Sequence, residues 1–481
     1  MVNRNLKYQQ KLVQRLFKTF LQGNMMKGYV WVLLLAMTSM ECVAGFDEGA
    51  AAYEAKDYTT AFREFLPLAN DGDAESQVKI GSMYDNGEGV VQDDSKAADW
   101  YRKAAEQGLP KAQILLGIMY QTGIGVTKSD SRAADWYRKA AEQGDALAQL
   151  MLGSSYYNGW GVTQDYSKAF QWYRKAAEQG SVDVQLGDMY YNGQGVSRSY
   201  TQAANWYHKA AEQGNADAQF NLGLMYHHGE GVAQDYTQAA NWYRKAAEQG
   251  NPSAQFYLGL MYIKADGVSK DYSQAASLFR KAAEQGDNHS QHLLGLMYYN
   301  GEGVAQDYSQ AAHFFRKAAA QDNADAQYYL GLMYYKGNGV AQDYSQAASL
   351  FRKAAEQGNP SAQFYLGNMY RNGEGVAQNY RKSADLYRKA AEQGHSNALN
   401  NLGVTYEVGL GVGKNLVLAH IFYNLAAVNG DTKVKNNRDE ITPQLTSAQL
   451  SEAQELASKW VKGQPLPTLS KTYPSSSHKK K

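Results

Sequence analysis

Apolar positions along this chain fall at helical spacing in paired short segments. The run N-A-D-A-Q-F-N-L-G-L-M-Y-H-H-G-E-G-V-A-Q-D-Y-T-Q-A-A-N-W-Y-R-K-A-A-E-Q-G, from Asn215 to Gly250, shows the scheme. Ala218, Leu222, Met225 and Tyr226 share one face of a first predicted helix, and Ala239, Ala240, Tyr243, Ala246 and Ala247 one face of a second. Gly223 removes a side chain where another helix can come close, and alternating small and aromatic residues let two helices interlock. The polar, glycine-bearing stretch between them predicts a turn, so the unit reads as a helical hairpin.

The hairpin recurs. The glycine of G-x-M-Y or its near variants stands at Gly81, Gly117, Gly153, Gly187, Gly223, Gly259, Gly295, Gly331, Gly367 and Gly403. Successive positions differ by 36 residues, as from 81 to 117, except for the 34 from 153 to 187. A fixed period of this length marks a solenoid, in which each unit buries its apolar face only against its neighbours. The second helix of every copy is preceded by a residue with a side-chain oxygen suited to capping: Asp93, Ser129, Asp165, Ser199, Asp235, Asp271, Asp307, Asp343, Asn379 and Asn415. Glycine follows that helix in every copy but one, where Asp322 stands. The two glycines of N-G-E-G-V could be taken for a phosphate loop, but no strand precedes them and no lysine with Ser/Thr closes the run. They read as a tight connection with positive φ angles.

These residues carry a family resemblance. The pattern A-x-x-L-G-x-M-Y-x-x-G-x-G-V followed by D-Y-x-x-A-x-x-W-Y-x-K-A-A-E-Q-G resembles the Sel-one-like repeats (SLR), relatives of the tetratricopeptide repeats, over roughly Gly72 to Gly430. The resemblance implies an all-α, α/α solenoid wound as a right-handed superhelix, with a concave groove lined by the first helix of each pair. It also implies an adaptor that holds proteins together. The expected organisation is a signal segment over 1–44, a capping helix pair over 45–72, the repeat solenoid over 73–430, capping helices over 431–463 and a disordered basic tail over 464–481.

Three departures stand out. S-V-D-V-Q-L between Gly180 and Gly187 lacks two residues, which shortens a first helix and predicts a bend near the fourth repeat. Ala265 replaces a loop glycine, and the Trp-Tyr pairs of the second helices give way to Leu278-Phe279, Phe314-Phe315 and Leu350-Phe351. At the back, Thr446 and Gln449 form a capping box flanked by Leu445 and Leu450, with Ala453, Ala457 and Trp460 continuing an apolar stripe.

Composition adds limits. The 48 basic residues balance 47 acidic ones, which gives no electrostatic case for a nucleic-acid partner. From Met26 the chain reads M-K-G-Y-V-W-V-L-L-L-A-M and reaches C-V-A before Gly45, the layout of a secretory signal with cleavage after Ala44. Its removal takes six basic residues and one acidic, leaving 42 against 46, a net of −4. Cys42, the only cysteine, would go with it. Disulfides, cysteine nucleophiles and cysteine metal sites are then excluded together, and the expected location is periplasmic or secreted, in association with the cell envelope.

Candidate chemistry is thin. His289 and His292 lie at i, i+3 without a third convergent ligand, no serine nucleophile motif occurs, and the glutamate of A-A-E-Q-G recurs near helix ends as solvated turn structure. No catalytic residue, metal site or cofactor is assigned. The candidate site is the groove face, read at i, i+4, i+7: Phe220, Leu224, His227; Phe256, Leu260, Ile263; His292, Leu296, Tyr299; Tyr328, Leu332, Tyr335; Phe364, Asn368, Arg371. Phe220, His227, Phe256, Tyr299, Tyr328, Tyr335, Phe364 and Arg371 are the chosen binding residues, since aromatic anchors suit a peptide or partner helix. Packing between adjacent first helices is the competing reading of the same face. The expected function is an exported scaffold that binds a protein or peptide in that groove; a cell-wall glycan binder and a cell-wall or β-lactam hydrolase are the alternatives.

Overall fold

The computed structural model describes residues 45–181, 184–429 and 432–469. The expected signal segment with Cys42, Val182 and Asp183 of the shortened copy, Gly430 and Asp431, and residues 470–481 lie outside the described residues. Every repeat is a pair of antiparallel helices, and no strand occurs among the described residues. The first helices are Ala74–Asn86, Pro110–Thr122, Ala146–Asn158, Val184–Asn192, Ala216–His228, Pro252–Lys264, Asn288–Asn300, Ala324–Lys336, Pro360–Asn372 and Ser396–Val408. The second helices are Asp94–Glu106, Asp130–Glu142, Tyr166–Glu178, Tyr200–Glu212, Tyr236–Glu248, Tyr272–Glu284, Tyr308–Ala320, Tyr344–Glu356, Tyr380–Glu392 and Leu416–Ala426. The chain divides into two units, one through Trp206 and one from Tyr207, so the division falls inside the repeat that lacks two residues. No helix among the described residues is long and apolar enough to cross a membrane.

Local chemistry sets the ends of these helices. Each of the ten expected second-helix caps accepts a bond from the backbone N–H three residues on, as Asp235 does from Gln238 at 3.0 Å and Ser199 from Gln202 at 3.3 Å. Asp322, the exception among the closing glycines, still adopts a left-handed φ of 59°, and Ala265 takes 64° where other copies have glycine.

Packing within a hairpin turns on the Leu-Gly glycine. A β-carbon on Gly259 would stand 2.6 Å from the ring of Phe279, and the same relation joins Gly295 to Phe315 and Gly331 to Phe351. Those rings are fully buried. A glycine therefore lets the second helix press an aromatic face directly onto the first-helix backbone.

Between repeats, the second glycine of the G-x-G loop makes the closest approach. A β-carbon on Gly303 would collide with the backbone carbonyl of Tyr272, which opens the second helix of the preceding repeat. A second tie is polar. Gln255, 2% exposed, donates from Nε2 to the carbonyl of Ala247 in the preceding repeat at 3.1 Å and accepts from Nε2 of Gln285 at 3.0 Å. The same pair of bonds recurs through Gln113, Gln149, Gln219, Gln291, Gln327 and Gln363. In the last repeat Leu399 occupies the equivalent position and is buried in the terminal core.

Both ends are closed. A helix over 45–54 pairs with Tyr58–Asn70, with Gly49 against the ring of Phe65, so the front cap repeats the hairpin packing in a shorter form. At the back, Thr432–Ile441 and Ser447–Lys459 cover the tenth repeat; the Thr446/Gln449 capping box is formed and Ala453 is fully buried. Within residues 464–469, assigned by composition to the tail, Leu466 is 8% exposed and belongs to the terminal core and Leu469 packs against it, while Gln464, Pro465 and Thr468 are exposed.

Candidate functional site

The first helices place their i, i+4, i+7 residues on one face. In the second unit Phe220, His227, Phe256, Tyr299, Tyr328, Tyr335, Phe364 and Arg371 are all half-buried. Neither full exposure nor full burial holds. Phe220, Phe256, Tyr328, Tyr335 and Phe364 each meet the buried ring of their own hairpin and a ring of the next repeat, which packs part of each ring and leaves part accessible.

Two rows of first-helix rings, one through Phe220, Phe256, Tyr328 and Phe364 and one through His227, Tyr299 and Tyr335, build the surface. Tyr328 lies 6.0 Å from Phe351 and 6.0 Å from Tyr365, and Phe220 lies 5.7 Å from both Tyr243 and Tyr257. Tyr335 meets Tyr344 edge-on at 5.3 Å, as Tyr299 meets Tyr308 at 5.2 Å and His227 meets Tyr236 at 5.1 Å. Phe256 lies 5.9 Å from His289, and Phe364 stacks on His395 at 4.9 Å. Such offset and edge-on pairs fix ring orientation and add roughly 0.5–1.5 kcal/mol each beyond burial.

The selection from sequence missed part of this surface. Tyr257, Tyr329 and Tyr365, each immediately before the leucine of Leu-Gly, stack across the repeat junction on Tyr243, Phe315 and Phe351 at 5.7, 5.3 and 5.4 Å. The tyrosines that open second helices, Tyr236, Tyr308 and Tyr344, also join it. The opening tyrosine recurs from Tyr236 to Tyr380 and was an available signal, whereas the position of Tyr257 is Asn221, Leu293 and Asn401 in other copies, and the period within one helix does not say which neighbouring repeat these residues touch.

Polar groups are few and mostly committed. Tyr335 donates to Glu374 in the next repeat at 2.9 Å, and burial together with that carboxylate raises its pKa. Burial likewise raises the pKa of Tyr328. Asn368, on the same face, accepts from Tyr387 at 2.6 Å and from Asn401 at 3.1 Å. His227 and His292 are held below the usual histidine range by desolvation, and each has a buried Nδ1 with no hydrogen-bond partner. The structure does not bring His289 and His292 to a third ligand; His292 instead faces the rings of Phe315 and Tyr329. Among the described residues no group of three or more His, Cys, Asp or Glu converges as a metal site. The face offers ring surfaces, a few hydroxyls and the guanidinium of Arg371, which suit contact with an extended or helical chain.

Ten consecutive segments, from 74–109 to 396–431, match the Sel1 repeat model, with the shortened copy matched over 184–215. The chain belongs to the Sel1 repeat family. A solved Sel1-type relative, a protective antigen present in uropathogenic Escherichia coli strains and described as having an SLR fold, is 40% identical with a TM-score of 0.79; the match covers 88% of this chain and 92% of that one. A Sel1 repeat protein from Oxalobacter formigenes is 36% identical with a TM-score of 0.52, over 64% of this chain and 90% of that one. No curated protein matches the chain. Sel1 repeat proteins generally act as scaffolds for protein interaction, and such repeats are typically non-enzymatic.

Proposed function

We propose that this Sel1 repeat chain is an exported scaffold that holds a segment of a partner protein against its first-helix face. The observation that carries the reading is the run of half-buried rings from Phe220 to Phe364, spaced by one helix per repeat and pinned from behind by fully buried rings. Preorganised rings lose little side-chain entropy when a partner covers them, so a shallow contact still gains free energy. No bond chemistry is involved.

Export rests on the signal-like run before Gly45, and the 40% identical relative's description as a protective antigen fits a protein that reaches the outside of the cell. N-terminal sequencing of the protein recovered from the periplasm or medium should begin at Gly45; recovery only in the cytoplasm with an intact N-terminus would refute export.

The binding reading is tested by placing a photo-crosslinking amino acid at Tyr299 in living cells and identifying the captured protein. That protein should bind the purified chain, and Tyr328→Ala with Tyr335→Ala should weaken binding roughly tenfold or more while helicity is retained. Unchanged affinity would count against the face. Capture of cell-wall glycan in place of a protein would favour the glycan-binding alternative.

A further inference from the structure

A second recurring feature lies on the second-helix side of the repeats. Between the second and third repeats, Arg138, Tyr156, Lys168, Trp172 and Lys175 line a cleft of about 580 Å³. Between the eighth and ninth, Arg352, Tyr370, Lys382, Leu386 and Lys389 line one of about 360 Å³. Each residue of the first set lies 214 positions before its counterpart in the second, as 156 does before 370, so one architectural site appears in both units.

Thirty-six residues further along, the same position falls between the ninth and tenth repeats, where Arg388, Tyr406, Leu418 and Phe422 are the counterparts. There the wall is completed by the chain's own Pro465, Leu466, Pro467, Thr468 and Leu469, leaving about 410 Å³ open. Leu466 is 8% exposed, Gly463 donates its backbone N–H to the carbonyl of Glu392 at 2.8 Å, and Trp460 donates from Nε1 to the carbonyl of Gln464 at 3.1 Å. Gln464 and Leu466 each precede a proline, which keeps them out of the helical region and holds the segment extended. The last cleft thus already holds a peptide.

We propose that the clefts at Tyr156/Trp172 and Tyr370/Leu386 are docking sites for extended proline-leucine segments of a partner protein that also carry an acidic residue. The proline-leucine part follows from the segment seated in the equivalent cleft. The acidic part follows from a charge difference. Lys168 and Lys382 stand where the tail-filled cleft has Leu418, and Lys175 and Lys389 where it has Leu425. Glu142 and Asp165 line the first cleft, where Arg138 is paired with Asp135 at 2.6 Å and Lys168 with Asp165 at 3.3 Å, and Glu356 and Asp385 line the second, where Asp385 is paired with Arg388 at 2.9 Å; Lys175 in the first and Arg352, Lys382 and Lys389 in the second carry the remaining positive charge. The lysines also frame the apolar floor: Lys168 Nζ sits 5.4 Å from the Tyr156 ring centre, Lys382 Nζ 5.2 Å from that of Tyr370, and Lys175 Nζ 4.1 Å from that of Trp172. A carboxylate entering beside a leucine side chain meets those ammonium groups without displacing the rings.

The test uses the full chain and two benzophenone-capped peptides: G-Q-P-L-P-T-L, taken from residues 463–469, and the same peptide with glutamate in place of its threonine. Saturable labelling mapped to Tyr156/Trp172 and Tyr370/Leu386 is expected, stronger for the glutamate peptide and weakened by added salt. Trp172→Ala should weaken labelling of the first cleft roughly tenfold, and Lys168→Glu, on an exposed side chain, should remove the preference for the glutamate peptide there without disturbing the fold. Tyr328→Ala with Tyr335→Ala should leave the labelling unchanged, which separates this inference from the first-helix binding face. No saturable labelling, labelling confined to the first-helix face, or labelling only of the 388/406/422 cleft would overturn the proposal.

Discussion

A β-carbon on Gly223 would stand 2.6 Å from the ring of Tyr243, inside any permitted contact. The glycine is helical, so its requirement is space and not backbone angle. Gly223→Ala should push the two helices apart and destabilise the fifth hairpin by about 1–3 kcal/mol. Thermal unfolding and amide exchange localised to 216–248 would show it; a variant as stable as the parent would disprove the contact.

The two loop glycines make separable predictions. Gly301 has a left-handed φ of 77° and a β-carbon there would stand 3.2 Å from that of Gln306, but Ala265 is accommodated at 64° in the equivalent place, so Gly301→Ala should cost about 1 kcal/mol. Gly303→Ala sets a methyl against the Tyr272 carbonyl as well, so the loss should be several times greater and should appear at the junction between repeats. Equal effects of the two variants in urea unfolding would contradict this account.

Gln255 joins two repeats through buried bonds. Gln255→Ala leaves the Ala247 carbonyl and one donor of the Gln285 amide without their partner, at a cost of about 1–3 kcal/mol. Gln285→Ala should cost less, because that side chain lies near solvent and water can replace it at Gln255. Unfolding midpoints of the two variants test the order.

His395 gives a pH dependence. Its Nδ1 accepts the backbone N–H of Ala398 at 3.2 Å, a cap that only the neutral ring can provide, and burial lowers its pKa below the usual value. The unfolded chain therefore binds the proton first. Stability from this site is fully present above about pH 6.5 and declines as pH falls below it toward the lower folded pKa. His395→Asn should keep the cap, as Asn215 and Asn251 do in other repeats, and reduce the loss of stability between neutral and mildly acidic pH. Identical pH profiles for parent and variant would rule the mechanism out.

The hairpins, their caps and their glycines were readable from the sequence because each depends on residues within a few turns. Asp235, Gly223 and the Thr446/Gln449 box needed no knowledge of distant neighbours. The face proposed to bind was readable in part. Phe220, Tyr328 and Tyr335 share a helix face by spacing alone, but Tyr257, Tyr329 and Tyr365 join them only through contact with the preceding repeat. The seating of Pro465–Leu469 was hidden for the same reason, since its composition matches that of a solvated tail.

The sequence by itself determined that this protein is a tandem array of helical hairpins, because period, capping and small-residue placement are local chemistry repeated ten times. Only the tertiary structure decided how one hairpin sits on the next: which glycine meets a carbonyl, which glutamine bridges, which ring is left half-open and which cleft the chain's end occupies. Those outcomes depend on the packing of surfaces far apart in sequence, and helical periodicity records the face of a residue but not what lies across from it.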